Sequence, residues 1–189
     1  GRALDRFTFA WYEDMLPWQF PKQLKAIKDA VETPVCTGED IYLRQEFKTL
    51  LDEDCVSYVH PDLATSGGIL ETKRIGDLAQ DYGVPMVLHQ AGSPIVAMAN
   101  VHCAAATENF VALEMHSIDI PWWEDLVIFE GKALVEDGHI RVPEAPGLGI
   151  ELNEEVVQAH LNPPTPELSG FFESTDSWNV LDSHDRLWS

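Results

Sequence analysis

The sequence predicts an α/β fold built as part of a (β/α) barrel. Short apolar runs bounded by Gly or Pro alternate with amphipathic stretches, which is typical of parallel strands joined by crossover helices. An ionisable residue closes each of five such runs, and successive closing residues lie 23 to 27 positions apart. A repeat of about 25 residues containing one strand, one loop and one helix is the unit of a (β/α) barrel, whose chemistry lies at the carboxyl ends of its strands.

The clearest unit covers residues 58–89. Residues 58–62 and 83–89 are short apolar runs, and between them Ile69, Leu70 and Ile75 begin a helical repeat that extends to Tyr82. Two parallel strands need a crossover of this length. Both strands then end on the same side of the sheet, so Asp62 and His89 are expected to lie side by side. A carboxylate beside an imidazole can fix its tautomer and raise its basicity, which suits a general base.

The same pattern extends in both directions along the chain. Strands are predicted over 7–13, 34–39 and 110–114, with helical repeats after the first two and a buried helix over 94–106. The residues that close the five strands are Glu13, Glu39, Asp62, His89 and Glu114. An open doubly wound sheet is the alternative architecture, but no Gly-x-Gly-x-x-Gly follows any strand, which disfavours a dinucleotide-binding fold.

Three regions are predicted along the chain. Residues 1–118 form a partial (β/α) barrel that carries the site. Residues 119–160 form a post-barrel segment, with a β-hairpin over 129–142 and a short helix over 154–160. Residues 161–189 form a proline-punctuated, polar tail with scattered aromatic residues, for which disorder and packing against a neighbouring subunit both remain open.

Composition excludes several functional classes. The 189 residues are 45% hydrophobic, and 12 basic residues against 32 acidic ones give a formal charge of −20. Such a surface repels nucleic acid and anionic membranes. There is neither a run of about 18 to 20 apolar residues nor a signal-peptide pattern at the start, so a cytoplasmic protein is expected. The three cysteines have no metal-like spacing, and a disulfide framework is not expected.

The strand-end residues and their flanks resemble the C-terminal barrel portion of the enolase superfamily, mandelate racemase/muconate lactonizing enzyme subgroup. The matching segments run from residue 7 to residue 152 and are Trp11-Tyr-Glu-Asp14, Thr37-Gly-Glu39, Pro61-Asp62 with Gly67-Gly68, Leu88-His89 and Leu113-Glu114. The resemblance implies a TIM-type barrel, a Mg²⁺ site, a His-Asp dyad and removal of the proton α to a carboxylate.

The resemblance also implies a role for each residue. Glu13 and Glu39 would be Mg²⁺ ligands, Asp62 would orient His89, and His89 would be the base or acid on one face of the substrate. Glu114 would hydrogen-bond the substrate carboxylate as it becomes an enediolate. The neighbouring His60 is expected to point away from this site.

The expected activity is Mg²⁺-dependent dehydration of a sugar acid, a small-molecule carboxylate, by a homo-oligomer. A racemase or epimerase of a 2-hydroxy acid and a non-catalytic fragment are the alternatives. The family's first metal ligand, its lysine motif, its first barrel strands and its N-terminal capping domain have no counterpart in the sequence. The chain is therefore expected to be a C-terminal fragment, and the lysine that would separate a racemase from a dehydratase is absent.

Overall fold

A computed structural model describes residues 1–117 and 119–160 of the chain. Its centre is a parallel sheet of five strands in the sequential order β1-β2-β3-β4-β5. The strands are β1 (Tyr12–Glu13), β2 (Val35–Thr37), β3 (Tyr58–Val59), β4 (Met86–Leu88) and β5 (Phe110–Leu113). Sequential order without a reversal is the arrangement of a (β/α) barrel, whereas a doubly wound sheet reverses its order. The predicted α/β barrel portion is confirmed.

The crossovers are helical. They are α1 (Pro21–Lys28), α2 (Leu43–Asp52), α3 (Leu63–Ser66), α4 (Gly68–Asp81) and α5 (Pro94–Ala105). The helical repeat predicted from Ile69 to Tyr82 corresponds to α4, whereas the short α3 was not predicted; Gly67 separates the two helices in a left-handed conformation with φ of 119°. A Cβ on Gly67 would lie 2.9 Å from the Cβ of Glu71, so the close approach of α3 to α4 also requires glycine.

The two larger apolar clusters hold most of these elements. In the first, α1, α2 and α4 pack on the sheet through the fully buried Leu24, Phe47, Leu50, Val59, Ile75 and Met86. In the second, the segment after residue 119 packs on α5 through Ala97, Met98, Val101, Trp123, Phe129 and Leu134. The second cluster joins the post-barrel segment to the barrel portion, because its members come from both regions.

The post-barrel segment differs from the prediction. The hairpin predicted over 129–142 is wrong, because β6 (Val127–Ile128) pairs antiparallel with β7 (Glu151–Leu152), directly before α6 (Glu154–His160). A tight turn does form at Asp137-Gly138, but it closes only one bridge, between Glu136 and His139. The strand pairing does not extend beyond this bridge, because Leu134 makes contacts with other parts of the chain. The Leu134 amide donates to the carboxylate of Glu124, and the side chain of Leu134 enters the second cluster.

The start of the first strand also differs from the prediction. The first strand begins at Tyr12 and not at residue 7, because a short 3₁₀ helix spans Asp5–Phe7 and Thr8 takes a left-handed conformation with φ of 52°.

Among the described residues, no helix is both long and apolar enough to cross a membrane. The predicted tail over 161–189 lies outside the described residues.

Candidate active site

The carboxyl edge of the sheet brings the predicted residues together. The backbone pairing of β3 with β4 extends beyond the strands to a parallel bridge between Asp62 and His89. Gly38 directly follows β2 with φ of 148°, and the backbone of His60 would lie only 3.0 Å from a Cβ added there. Glu39 is the next residue. Glu114 follows β5, with its amide donating to the carbonyl of Leu88. The side chains thus converge because parallel strands end at one edge.

Asp62 and His89 form a tight pair. The Nδ1–H of His89 donates to Oδ2 of Asp62 at 2.6 Å. The other oxygen of Asp62 accepts from the amide of Ala64 at 2.6 Å and caps α3, so the carboxylate is held at both oxygens. Asp62 is only 8% exposed. This arrangement fixes the ring orientation of His89 and leaves Nε2 as the atom that faces the site.

Carboxylates surround Nε2 of His89. It lies 3.1 Å from Oε2 of Glu39 and 3.5 Å from Oε2 of Glu114. Burial alone would lower the pKa of His89, but the hydrogen bond to Asp62 and the charges of Glu39, Glu114 and Asp62 raise this pKa to about 9. His89 is therefore protonated at neutral pH when only these protein groups surround it.

A group of carboxylates lies beside this histidine. One oxygen each from Asp14, Glu39 and Asp40 falls within 4.8 Å of the others. Desolvation is the largest cause that raises the pKa values of Asp14 and Glu39, although both side chains keep some exposed surface, and neighbouring carboxylates raise them further. Carboxylate oxygens in mutual repulsion are the donor set that a hard divalent cation such as Mg²⁺ would stabilise. These residues therefore fit a magnesium ion.

Asp14 is a site residue that the sequence analysis did not single out. Its backbone takes a left-handed conformation with φ of 42° directly after β1, and its carboxylate accepts from the hydroxyl of Thr37. Glu13 is held differently, because its Oε2 accepts from the indole N–H of Trp11 at 2.8 Å. Glu13 nevertheless lies close enough to Glu39 to raise the pKa of that carboxyl. The carboxylates of the adjacent residues Glu13 and Asp14 thus approach Glu39 from different directions.

His60 does not point away from the site, and that prediction is wrong. It is fully buried, with its ring centroid 5.4 Å from that of His89. Its Nδ1 lies 3.6 Å from Oε2 of Glu13 and its Nε2 lies 3.9 Å from Oε2 of Glu114. Side chains two residues apart on a strand share a face, so the position of Asp62 already implied that of His60. The alternation along the strand was the signal that could have found it.

The environment of His60 differs from that of His89. Burial is the largest effect and lowers the pKa of His60. The Leu88 carbonyl lies close enough to favour the protonated ring weakly, yet neither ring nitrogen has hydrogen-bond geometry to a described residue. Cys36 lies nearby and is also fully buried; burial, followed by the charges of Glu13 and Asp14, raises the pKa of its thiol strongly. The floor of the site therefore holds an uncharged imidazole and an uncharged thiol.

The loop after His89 is anchored by the post-barrel segment. The indole N–H of Trp123 donates to the carbonyl of Gly92 at 2.9 Å, and the buried Gln90 side chain bonds both the amide and the carbonyl of Gly92. The backbone N–H of Gln90 in turn donates to Oε2 of Glu114 at 3.2 Å. Trp123 is 3% exposed, so it serves packing and support of this loop.

Known proteins match the chain over most of its length. Residues 1–156 match the enolase C-terminal domain-like family. A D-xylonate dehydratase of Haloferax volcanii is 40% identical over 158 residues, which cover 84% of this chain and 38% of the relative. A D-gluconate/D-galactonate dehydratase of Picrophilus torridus is 29% identical over 180 residues, covering 95% of this chain and 45% of the relative.

A solved structure also matches most of this chain. The crystal structure of a mandelate racemase/muconate lactonizing enzyme-like protein from Rubrobacter xylanophilus superposes with a TM-score of 0.83 at 40% identity. The match covers 86% of this chain and 41% of that one. The chain therefore spans less than half the length of the proteins it matches, and its sheet corresponds to part of their barrel.

Proposed function

Because the chain belongs to the enolase C-terminal domain-like family, we propose that the whole protein is a Mg²⁺-dependent dehydratase that converts a sugar acid to a 2-keto-3-deoxy acid. The observation that carries this proposal is the Asp62–His89 pair, with Nε2 of His89 only 3.1 Å from the carboxylate group that fits a cation. The relatives named D-xylonate and D-gluconate/D-galactonate dehydratases support the substrate class.

The reaction breaks two bonds of the substrate. The α-carbon loses its proton, and the electron pair of that bond moves into the carboxylate to form an enediolate. The bond from the β-carbon to its hydroxyl then breaks, and the hydroxyl leaves as water with a proton from an acid. The enol that remains takes up a proton at its β-carbon, loses the proton of its hydroxyl and becomes the 2-keto acid. Each step therefore needs a proton held at a defined atom close to the substrate.

His89 is the proposed carrier of that proton. Asp62 occupies Nδ1, so the proton moves at Nε2, which faces the site. The protonated form, which the surrounding carboxylates favour, can donate to a departing hydroxyl, whereas removal of the α-proton requires the neutral form. Glu114 accepts a hydrogen bond from the backbone N–H of Gln90 and is the proposed hydrogen-bonding partner of the substrate carboxylate.

Glu13 and Glu39 are the proposed Mg²⁺ ligands, and Asp14 lies close enough to Glu39 to support the same ion. When bound, Mg²⁺ supplies the positive charge that stabilises the substrate carboxylate as negative charge develops on it. The α-proton of a carboxylate is only weakly acidic, and concentrated positive charge makes its removal feasible.

The test screens the full-length protein with Mg²⁺ against a panel of sugar acids. A colorimetric assay measures the 2-keto-3-deoxy acid that is formed. We expect product from at least one acid and a loss of about 10²- to 10⁴-fold in kcat/KM in His89→Asn. The matched control is His139→Asn, because the His139 side chain is exposed and its ring hydrogen-bonds the nearby carbonyl of Asp137.

Two outcomes would contradict the proposal. Exchange of the α-hydrogen with solvent deuterium without loss of water would identify a racemase or epimerase. Absence of both turnover and Mg²⁺ binding in the full-length protein would identify a non-catalytic scaffold.

A further inference from the structure

Three side chains of different chemistry meet beneath the carboxylate group. Glu13 and Cys36 are direct partners in the register of β1 and β2. His60 follows β3, with its amide donating to the carbonyl of Thr37, and projects to the same face of the sheet. One donor atom each from the Glu13 carboxylate, the Cys36 thiol and the His60 ring falls within 4.8 Å of the other two. This spacing needs only a small contraction to place all three around one ion.

The unpartnered state of His60 is an independent observation. The side chain is fully buried, and within residues 1–117 and 119–160 neither ring nitrogen meets a hydrogen-bond partner. Buried polar atoms are almost always satisfied, and an exception requires an explanation such as a water or an ion. Nδ1 of His60 faces Oε2 of Glu13 at 3.6 Å, which is too long for a hydrogen bond but suits two ligands of one metal.

We propose that Glu13, Cys36 and His60 form a second cation site, for a borderline divalent transition metal such as Zn²⁺, directly beneath the proposed Mg²⁺ site. A thiolate and an imidazole select such metals, whereas Mg²⁺ prefers oxygen ligands. Binding displaces the proton of the Cys36 thiol, so one proton is released for each ion bound. Three protein ligands leave one position of a tetrahedral ion open.

The two sites share Glu13, and this is the only point at which the inference rests on the proposed function. A Zn²⁺ ion that engages the Glu13 carboxylate competes with Mg²⁺ for it. The second site would therefore be inhibitory toward the proposed dehydration, and the Mg²⁺ ligand Glu39 would take no part in it.

The experiment uses the full-length protein, stripped of metal with a chelator and titrated with Co²⁺, which occupies zinc sites and reports its ligands by absorption. We expect a near-ultraviolet charge-transfer band from thiolate to Co²⁺, which Zn²⁺ abolishes. Cys36→Ser should remove the band. Cys103→Ser is the matched control, because Cys103 is equally buried but lies on α5, away from this cluster.

His60→Gln gives a second variant that keeps the thiol. We expect its Co²⁺ affinity to fall by at least about 10-fold, the loss seen when even an outer partner of a metal site is removed. Glu39→Gln separates the two proposals, because it should impair Mg²⁺ binding and turnover while the charge-transfer band stays. A Co²⁺ complex without the band, or a band that persists in Cys36→Ser, would overturn the inference.

Discussion

Two histidines whose rings lie 5.4 Å apart have opposite environments in this molecule. His89 donates to Asp62 at 2.6 Å and faces two further carboxylates, and its pKa rises to about 9. His60 is more deeply buried and lacks a bonded partner among the described residues, and its pKa falls. Carboxylates lie near both rings, so proximity of charge alone does not decide the outcome. At His89 the short hydrogen bond to Asp62 and the charges of Glu39, Glu114 and Asp62 together offset desolvation, whereas at His60 the carboxylates of Glu13 and Glu114, at 3.6 and 3.9 Å, do not.

The largest expected effect comes from removing the charge of the bonded partner. Asp62→Asn keeps an oxygen that can cap α3 but no longer favours the protonated ring of His89. We expect kcat/KM of the full-length protein for its sugar acid to fall by about 10²- to 10⁴-fold, since proton transfer at Nε2 depends on the Nδ1 partner. Asp77→Asn is the control, because Asp77 pairs with Lys73 on the outer surface of α4. Equal activity of the two variants would mean that the pair has no role in turnover.

A titration of His89 in the metal-free protein tests the same comparison by spectroscopy. Ring resonances of His89 should report a pKa of about 9, above the ordinary 6.5, and Glu39→Gln or added Mg²⁺ should lower it by removing or neutralising a carboxylate 3.1 Å away. Because the folded-state pKa is the higher one, protonation of His89 stabilises the fold fully below about pH 6.5, and this contribution is lost as the pH rises through about 9. A pKa that Glu39→Gln leaves unchanged would contradict the assignment.

Much of the sheet could be predicted because local patterns determine it. Apolar runs and helical repeats alternate from residue 12 to residue 113, and each repeat packs on its neighbours in sequence. The segment after residue 119 could not be predicted in the same way, since β6 finds its partner more than twenty residues later and Leu134 bonds Glu124 in place of a hairpin strand. Contacts distant in sequence carry no local signal.

The site residues likewise fall into those that the sequence could predict and those that it could not. The five strand-end residues could be placed at one edge because parallel strands share a direction. Asp14 could not, because a left-handed turn after β1 redirects it. His60 could have been found from the two-residue alternation with Asp62, but its unpartnered nitrogens could not, since they depend on the separations to Glu13 and Glu114.

The smallest expected effect tests the unpartnered ring itself. His60→Leu replaces a buried imidazole with an apolar side chain of similar volume, and no described hydrogen bond is lost. In the metal-free full-length protein we expect the free energy of unfolding in urea to stay unchanged or rise by up to about 1 kcal/mol, because an unsatisfied buried polar group is removed. His102→Leu is the control, since the ring of His102 donates to the carbonyl of Leu148 at 3.3 Å and its loss should cost about 1 kcal/mol. Added Zn²⁺ should then stabilise the wild-type protein but not His60→Leu, because only the wild type keeps the imidazole ligand. A metal-free His60→Leu protein that is less stable by more than the control would mean that His60 has a structural partner, and the contrast between the two histidines would then be smaller than their geometry indicates.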